Sequence, residues 1–266
     1  MNAPERTPLS VVVPAFNERA RLPALLDVLE ERAEAIFAPA GLSLAELIVV
    51  DDGSTDGTAA MLRARPDLPF RFRVIELGRN RGKGAAVRAG MLAAAEPLAL
   101  LSDADMATPL QEVSKLSAAL ERGFDVAIGS RGLPESEIVV HQPIYRELMG
   151  KSFNVGLRLL TGLPYRDTQC GFKLFRLTAA RKLFELQRIE GFAYDAEILV
   201  LARRLGIRVV EVPVRWFNDP ATTVKLFSAS SRMALDLLKV GRLARGSTAP
   251  FRRRVEERAA TADRPS

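Results

Sequence analysis

The chain has 266 residues, of which 48% are hydrophobic, and a formal net charge of +6 at pH 7. This length and composition suit one large domain with a sizeable core. The single cysteine excludes an intramolecular disulfide and is typical of a reducing compartment. The N-terminal residues show no signal-peptide pattern, and no window holds the roughly 18 apolar residues that span a bilayer. We therefore expect a cytoplasmic protein that is soluble or lies on a membrane surface.

Short apolar runs alternate with helix-period segments through the first half of the chain. The runs occupy residues 9–14, 45–52, 72–77, 97–105 and 125–130. Strand–helix alternation of this kind predicts an α/β fold with a Rossmann-like, mostly parallel sheet and helices on both faces. The strands are apolar throughout, as expected when both faces of the sheet are covered.

A polar or glycine-rich motif follows each of the five predicted strands. In chain order the motifs are PAFNE, DDGSTDG, LGRNRGKGAA, DAD and GSR. Ligands of open α/β sheets bind at the carboxyl ends of the strands. Five such motifs at one edge of one sheet therefore predict a binding site there.

The DAD motif places Asp103 and Asp105 two residues apart at the end of an apolar run. Two carboxylates so close raise each other's pKa unless a positive charge lies between them. Mg²⁺ or Mn²⁺ would supply that charge, since such ions take carboxylate oxygens together with the phosphates of a substrate. A helix N-cap or a solvated pair is the alternative interpretation. The neighbouring motifs favour the metal.

Two further motifs have a functional and a structural interpretation. In DDGSTDG, Asp51 and Asp52 lie where a nucleoside could be hydrogen-bonded, while the later residues suit a strand–turn–helix corner. A calcium loop is disfavoured, because Arg63 stands where a bidentate Glu is required. In LGRNRGKGAA, the turn and Lys83 could face phosphate, or could form an ordinary helix entry. A third motif, GSR, contains Arg131, which could fork onto phosphate or sugar hydroxyls or, taken alone, could be an ordinary surface arginine.

The second half of the chain is less regular. Residues 165–175, YRDTQCGFKLF, are unusually polar for a core segment, and we interpret Cys170 there as a packed thiol. Asp195 begins a predicted helix, either as a base aimed at the site or as an acid that complements the helix dipole. Residues 225–243 form a predicted amphipathic helix with a basic side, which could pack on the domain or lie in a membrane interface.

As a set, the motifs are familiar. VVVPAFNE, VVDDGSTDGT, GRNRGKGAAVRAG, SDADMATP, IGSR, RDTQCGFKLF and FAYDAEIL resemble the family-two inverting glycosyltransferases of the GT-A fold. Within that family they most resemble the dolichyl- and polyprenyl-phosphate β-glucosyltransferases, and more distantly the dolichyl-phosphate mannose synthases. The resemblance implies transfer of a hexose from a nucleotide diphosphate to a polyprenyl phosphate, with Mg²⁺ or Mn²⁺ and a β-linked product.

The resemblance also implies roles for individual residues. The positions carried into nucleoside binding are Pro14, Glu18, Val50 and Asp52. Asp103 and Ala104 fall at the nucleotide-sugar contact, Asp105 on the metal and Arg131 beside the sugar diphosphate. Asp103 is expected close to the metal as well.

On the acceptor side, the resemblance places Arg146 near the lipid phosphate. One departure concerns Ala107, since the mannose-synthase relatives offer a glutamine there as a further metal ligand. The eukaryotic glucosyltransferases carry an N-terminal membrane anchor that this chain is expected to lack. We therefore expect peripheral contact with the cytoplasmic face of a membrane through 225–243 and the basic tail 244–266.

The sequence thus predicts an N-terminal lead at 1–8, a GT-A domain at 9–243 and a basic disordered tail at 244–266. The domain divides into a nucleotide-sugar half at 9–131 and an acceptor half at 132–243. UDP-glucose is the expected donor; GDP-mannose, or a soluble or polysaccharide acceptor, remains an alternative. Nucleic-acid binding is disfavoured, because acids line the expected cleft and would repel a phosphate backbone.

Overall fold

The computed structural model describes residues 6–65, 68–140, 154–217 and 230–246. Strands β1 to β9 span, in order, Thr7–Ala15, Leu42–Asp51, Arg71–Glu76, Leu98–Leu101, Val126–Ser130, Glu137–Val140, Lys173–Arg176, Val209–Pro213 and Arg215–Phe217. Helices α1 to α8 span Leu22–Phe37, Thr58–Arg63, Lys83–Ala93, Val113–Glu121, 154–161, Leu177–Leu186, Tyr194–Leu205 and Ser230–Arg245. The predicted acceptor residue Arg146 lies outside the described residues.

Seven of the strands form one sheet in the order β3-β2-β1-β4-β7-β5-β8. Strand β7 runs antiparallel to both of its neighbours, and the other pairs are parallel. Strands β6 and β9 form a separate two-stranded parallel sheet. The prediction of a mostly parallel sheet with helices is confirmed.

Two apolar cores cover the two faces of the large sheet. Val11 and Val13 of β1 point into one core with α1 and α4, while Val12 between them points into the other with α3, α6 and α7. All three side chains are completely buried. Because successive side chains of a strand point to opposite faces, a strand between two cores must be apolar at every position.

Helix α8 covers most of the predicted segment 225–243, whose first five residues lie outside the described ranges. Val240 is buried against the core, whereas Leu235 and Leu238 are largely exposed. Within the described ranges, none of the helices combines the length and hydrophobicity that a membrane span needs.

Candidate active site

Motifs from separate parts of the chain meet at the carboxyl ends of the strands. A cleft of about 200 Å³ opens there, and the loop after β4 forms one of its walls. Asp103, Asp105, Arg131, Gln169 and Trp216 are among the residues that line it. Asp103, Asp105 and Arg131 were predicted to lie together, and the structure brings them together.

The charge that neutralises Asp103 in the structure is a lysine. The Nζ of Lys83, at the start of α3, lies 2.7 Å from Oδ1 of Asp103. Burial raises the pKa of Asp103, but Lys83 beside it outweighs that effect, so the net pKa is lowered. Lys83 thus contacts an acid of the cleft; its predicted phosphate contact and the predicted metal contact of Asp103 stay predictions.

Gly171 makes the room that Asp103 occupies. A methyl group on Gly171 would lie 2.6 Å from Oδ1 of Asp103 and closer still to Oδ2. Since carbon and oxygen atoms pack near 3.5 Å, no larger residue fits without moving the carboxylate. The placement of Asp103 therefore depends on a glycine far away in the sequence.

Asp105 lies in a turn rather than on the strand, because β4 ends at Leu101. Its Oδ1 accepts a 3.0 Å hydrogen bond from the N–H of Ala107, and Met106 between them has a φ of 50°. Burial and the neighbouring Asp103 raise the pKa of Asp105. Within the described residues no lysine or arginine forms an ion pair with Asp105, although Lys83 and Arg21 act on it electrostatically and partly offset the rise in its pKa.

This donor set fits a metal ion only in a limited way. The described residues contain no group of three or more His, Cys, Asp or Glu side chains arranged to hold a metal ion. Mg²⁺ often binds through one or two carboxylates and the phosphates of its substrate. The single carboxylate of Asp105, which lines the cleft, fits a site in which substrate phosphates supply the other ligands.

Arg131 is fixed from two directions. Its guanidinium donates two hydrogen bonds to Asp167, of 2.6 and 3.0 Å, and lies 5.4 Å from the ring centre of Trp216. Asp167 also accepts the backbone N–H of Arg131 and that of Gln169. A clamped guanidinium at the cleft wall is prepared to meet a phosphate or sugar without further ordering.

The predicted nucleoside residues lie at the ends of β1 and β2. Pro14 and Val50 are paired neighbours on these two strands. Asp52 accepts the backbone N–H groups of Arg81 and Gly82, at 2.8 and 2.7 Å, and so holds the turn that precedes α3. Burial raises its pKa. The structure thus gives Asp52 a tie to the turn besides its predicted contact with a nucleoside.

Other residues of this region complete the corner after β2. Glu18 forms an ion pair with Arg21 at 3.0 Å and interacts electrostatically with both acids of the DAD motif. Ala104 is almost fully buried between those acids. The Oδ2 of Asp51 accepts a hydrogen bond from the backbone N–H of Ser54. Its Oδ1 is buried without a hydrogen-bond partner among the described residues.

Asp195 is not a free base. Its side chain is 6% exposed and forms an ion pair with Nζ of Lys173, whose side chain is 3% exposed. Lys173 also donates to the carbonyl oxygen of Cys170 at 2.6 Å. Cys170 is a buried free thiol, as predicted. The sequence indicated Asp195 as a candidate but gave its partner no role.

Four contributing residues had no predicted role in the site: Asp167, Gln169, Lys173 and Trp216. The polar density of residues 165–175 was the available signal for the first three. Nothing in the sequence distinguished Trp216, because its place opposite Arg131 follows from the pairing of β9 with β6.

Comparison with known proteins gives a consistent result. The family model described as "Glycosyl transferase family 2" matches residues 10–184. A dolichyl-phosphate beta-glucosyltransferase from Drosophila melanogaster is 39% identical over 240 residues, which cover 87% of this chain and 74% of that protein. The protein of the same name from Saccharomyces cerevisiae is 35% identical and covers 86% and 73%.

Solved structures show the same fold. Glucosyl-3-phosphoglycerate synthase from Mycobacterium tuberculosis, in complex with Mn²⁺ and uridine-diphosphate-glucose, matches with a TM-score of 0.63 and 21% identity. The match covers 88% of this chain and 79% of that one. Mannosyl-3-phosphoglycerate synthase from Rubrobacter xylanophilus gives a TM-score of 0.60, with 20% identity, 88% and 73% coverage.

Proposed function

The chain belongs to glycosyl transferase family 2 and is a glycosyltransferase, and we propose that it transfers glucose from UDP-glucose to a dolichyl-type polyprenyl phosphate. The reaction inverts the anomeric carbon, gives a β-linked product and uses Mg²⁺ or Mn²⁺. Relatives named for this transfer match along most of their length. The observation that carries the proposal is a cleft lined both by Asp105, which forms no ion pair among the described residues, and by the clamped guanidinium of Arg131.

These two side chains divide the work on the donor. Asp105 would hold the metal ion, whose chemistry when bound would be to offset negative charge on the leaving nucleoside diphosphate. Arg131 binds the diphosphate or the sugar from the opposite wall. Pro14, Glu18 and Asp52 are at the ends of neighbouring strands, where the nucleoside would extend from the cleft.

The acceptor explains why a buried Asp195 suffices. A phosphate monoester has a second pKa near 6, so its oxygen is already an anionic nucleophile at about pH 7. General-base help, typically worth about 10²–10⁴-fold, is then not needed. Asp195 is paired with Lys173 and acts in this scheme as an orienting group. Arg146 would meet the acceptor phosphate.

The acceptor also requires contact with a membrane, on its cytoplasmic face. Leu235 and Leu238 of α8 are 60% and 52% exposed, and Leu159 of α5 is 82% exposed. The last 25 residues contain seven arginines against three acids. Exposed leucines next to a basic segment favour adsorption to anionic lipid.

One transfer assay tests the proposal. Radiolabelled UDP-glucose and GDP-mannose are each offered to the full chain with dolichyl phosphate or undecaprenyl phosphate, with Mn²⁺ or Mg²⁺ and then with chelator. We expect metal-dependent lipid-linked glucose and little lipid-linked mannose. Faster use of GDP-mannose, or product formed only on a water-soluble acceptor, would replace the proposed substrate.

Two variants connect the assay to the cleft. Asp105→Asn should lower transfer by more than about 100-fold, since metal stabilisation of a leaving group is worth several kcal/mol. Asp27→Asn removes an equivalent charge from an exposed ion pair with Arg65, and should leave transfer unchanged. Equal activity of Asp105→Asn and wild type would refute the assignment of the metal.

A further inference from the structure

The ion pair between Lys173 and Asp195 is buried in the centre of the molecule. Lys173 stands on β7, which is hydrogen-bonded on both sides to β4 and β5, and Asp195 stands in the first turn of α7. Removing two charges from water costs several kcal/mol per ion, and a buried pair often contributes little net stability. A gain in folding stability therefore does not by itself explain the presence of this buried ion pair.

The pair adjoins a second one. Lys83 contacts Asp103 at 2.7 Å and also interacts electrostatically with Asp195. Burial lowers the pKa of Lys83, but Asp103 and Asp195 together outweigh it, and the net pKa is raised. Two carboxylates thus act on the same ammonium group. Lys173 forms a direct ion pair with Asp195 and acts electrostatically on Asp103 as well.

We propose that Lys173 is a positioning residue. By forming the ion pair with Asp195, it allows Lys83 to remain paired with Asp103. With Lys83 on Asp103, Asp105 is the acid of the DAD motif that remains for the divalent cation. The inference rests on the proposed function, because it concerns the same metal site. Lys173 would thus limit the carboxylates of the DAD motif that are available to the metal ion to one, that of Asp105.

A one-carboxylate site has a functional consequence. The number of charged ligands is a main determinant of cation affinity. With one protein carboxylate, the free protein would bind the ion weakly, and the diphosphate of the donor would have to supply further ligands. Loss of Lys173 would leave Asp195 near Lys83 as its remaining cation and draw Lys83 from Asp103. The carboxylate of Asp103, which already lines the cleft, would then lose its direct ion-pair partner.

The experiment measures Mn²⁺ binding to the full chain without donor, by electron paramagnetic resonance titration of free Mn²⁺, together with kcat and KM for UDP-glucose. Lys173→Met should bind Mn²⁺ about five- to tenfold more tightly than wild type, since a second acid joins the site. Its KM for UDP-glucose should rise more than kcat falls. The double variant Lys173→Met with Asp195→Asn should return Mn²⁺ affinity to within about twofold of wild type, because Asp195 no longer competes for Lys83.

A matched control separates positioning from stability. Glu46 is a fully buried carboxylate near the middle of β2 and does not line the cleft; it accepts hydrogen bonds from Ser10 and Arg73. Glu46→Gln should lower thermal stability and leave Mn²⁺ affinity unchanged. Unchanged Mn²⁺ affinity in Lys173→Met, or a double variant no closer to wild type than the single one, would overturn the proposal.

A further variant keeps the test valid if Lys173→Met does not fold. Lys83→Met uncovers Asp103 directly and should also tighten Mn²⁺ binding; equal affinity of Lys83→Met and wild type would overturn the proposal. Failure of the proposed function looks different. If the proposed function is wrong, the wild type shows no metal-dependent transfer at all. If only the role proposed for Lys173 is wrong, wild-type transfer is intact and the variants bind Mn²⁺ as the wild type does.

Discussion

Replacing Gly171 by alanine tests the geometry of the site more sharply than removing a charged group. The new methyl group would lie 2.6 Å from Oδ1 of Asp103 and closer to Oδ2. Ordinary contact distances near 3.5 Å require the carboxylate to retreat by about 1 Å or more. No charge is lost and nothing is removed, so any effect on activity comes from displacement.

The size of the effect follows from what Asp103 must give up. The carboxylate is the end of a side chain, and it can rotate away without moving the backbone of the loop. The rotation breaks its 2.7 Å contact with Lys83. A hydrogen bond between charged groups is worth about 1.5–3 kcal/mol, which corresponds to about 10- to 150-fold in rate if it is lost in the transition state.

The assay compares kcat/KM for UDP-glucose with the midpoint of thermal unfolding. Gly171→Ala should lose about 100-fold in kcat/KM, while the melting temperature falls by about 3–12 °C, which is the shift that loss of about 1.5–3 kcal/mol produces in a chain of this size. Gly156→Ala is the matched control, since it lies in α5 with nothing within 4 Å of the added methyl group. Wild-type activity in Gly171→Ala would refute the argument, because the clash would then be absorbed elsewhere.

Three further predictions concern other parts of the molecule. Trp216→Leu should raise the KM for UDP-glucose by about 3- to 30-fold, because it removes the cation–π contact with Arg131. Trp216→Phe retains an aromatic ring beside Arg131 and should raise the KM less. Steady-state kinetics that do not separate the two variants would contradict this prediction. Glu46 contributes pH-dependent stability: burial raises its pKa, but hydrogen bonds from a serine and arginines outweigh this, so the net pKa falls below 4.5. The stabilisation by Glu46 is therefore present above pH 4.5 and lost as the pH falls through its folded-state pKa. In urea titrations, the difference in unfolding free energy between wild type and Glu46→Gln should shrink on acidification. A constant difference would contradict the assignment. Gly53→Ala should destabilise the chain by more than about 1 kcal/mol, because Gly53 has a φ of 74° and its methyl group would lie 2.6 Å from the backbone nitrogen of Asn80; an unchanged melting temperature would exclude that clash.

The elements that local pattern determines could be predicted from the sequence. Strands β1, β2, β4 and β5 appear within a few residues of the predicted apolar runs, because strands covered on both faces are mostly apolar. Strand β3 also appears where it was predicted, but it is an edge strand with exposed charged residues, so the expectation that every strand is apolar throughout is wrong there. The edge of the sheet that carries the site followed from topology alone, since the carboxyl ends of parallel strands converge there.

Contacts between distant segments could not be read in the same way. The spacing of Asp103 and Asp105 favoured a metal ion as the positive charge between them. The structure shows that Lys83 pairs with Asp103, some 20 residues away along the chain. The partner of Asp195 is likewise set by the insertion of β7 between β4 and β5, which no local pattern indicates.

That inserted strand also decides whether the molecule can be divided. Strand β5 hydrogen-bonds to β7 and β8 and not to β4, although β4 precedes it in the chain. A fragment ending after β5 would therefore contain a strand whose neighbours had been left behind. The predicted nucleotide-sugar half, 9–131, and the predicted acceptor half, 132–243, both contribute strands to this one sheet. Neither segment can therefore be exchanged between proteins as an independent unit without removing strands that pair with the other.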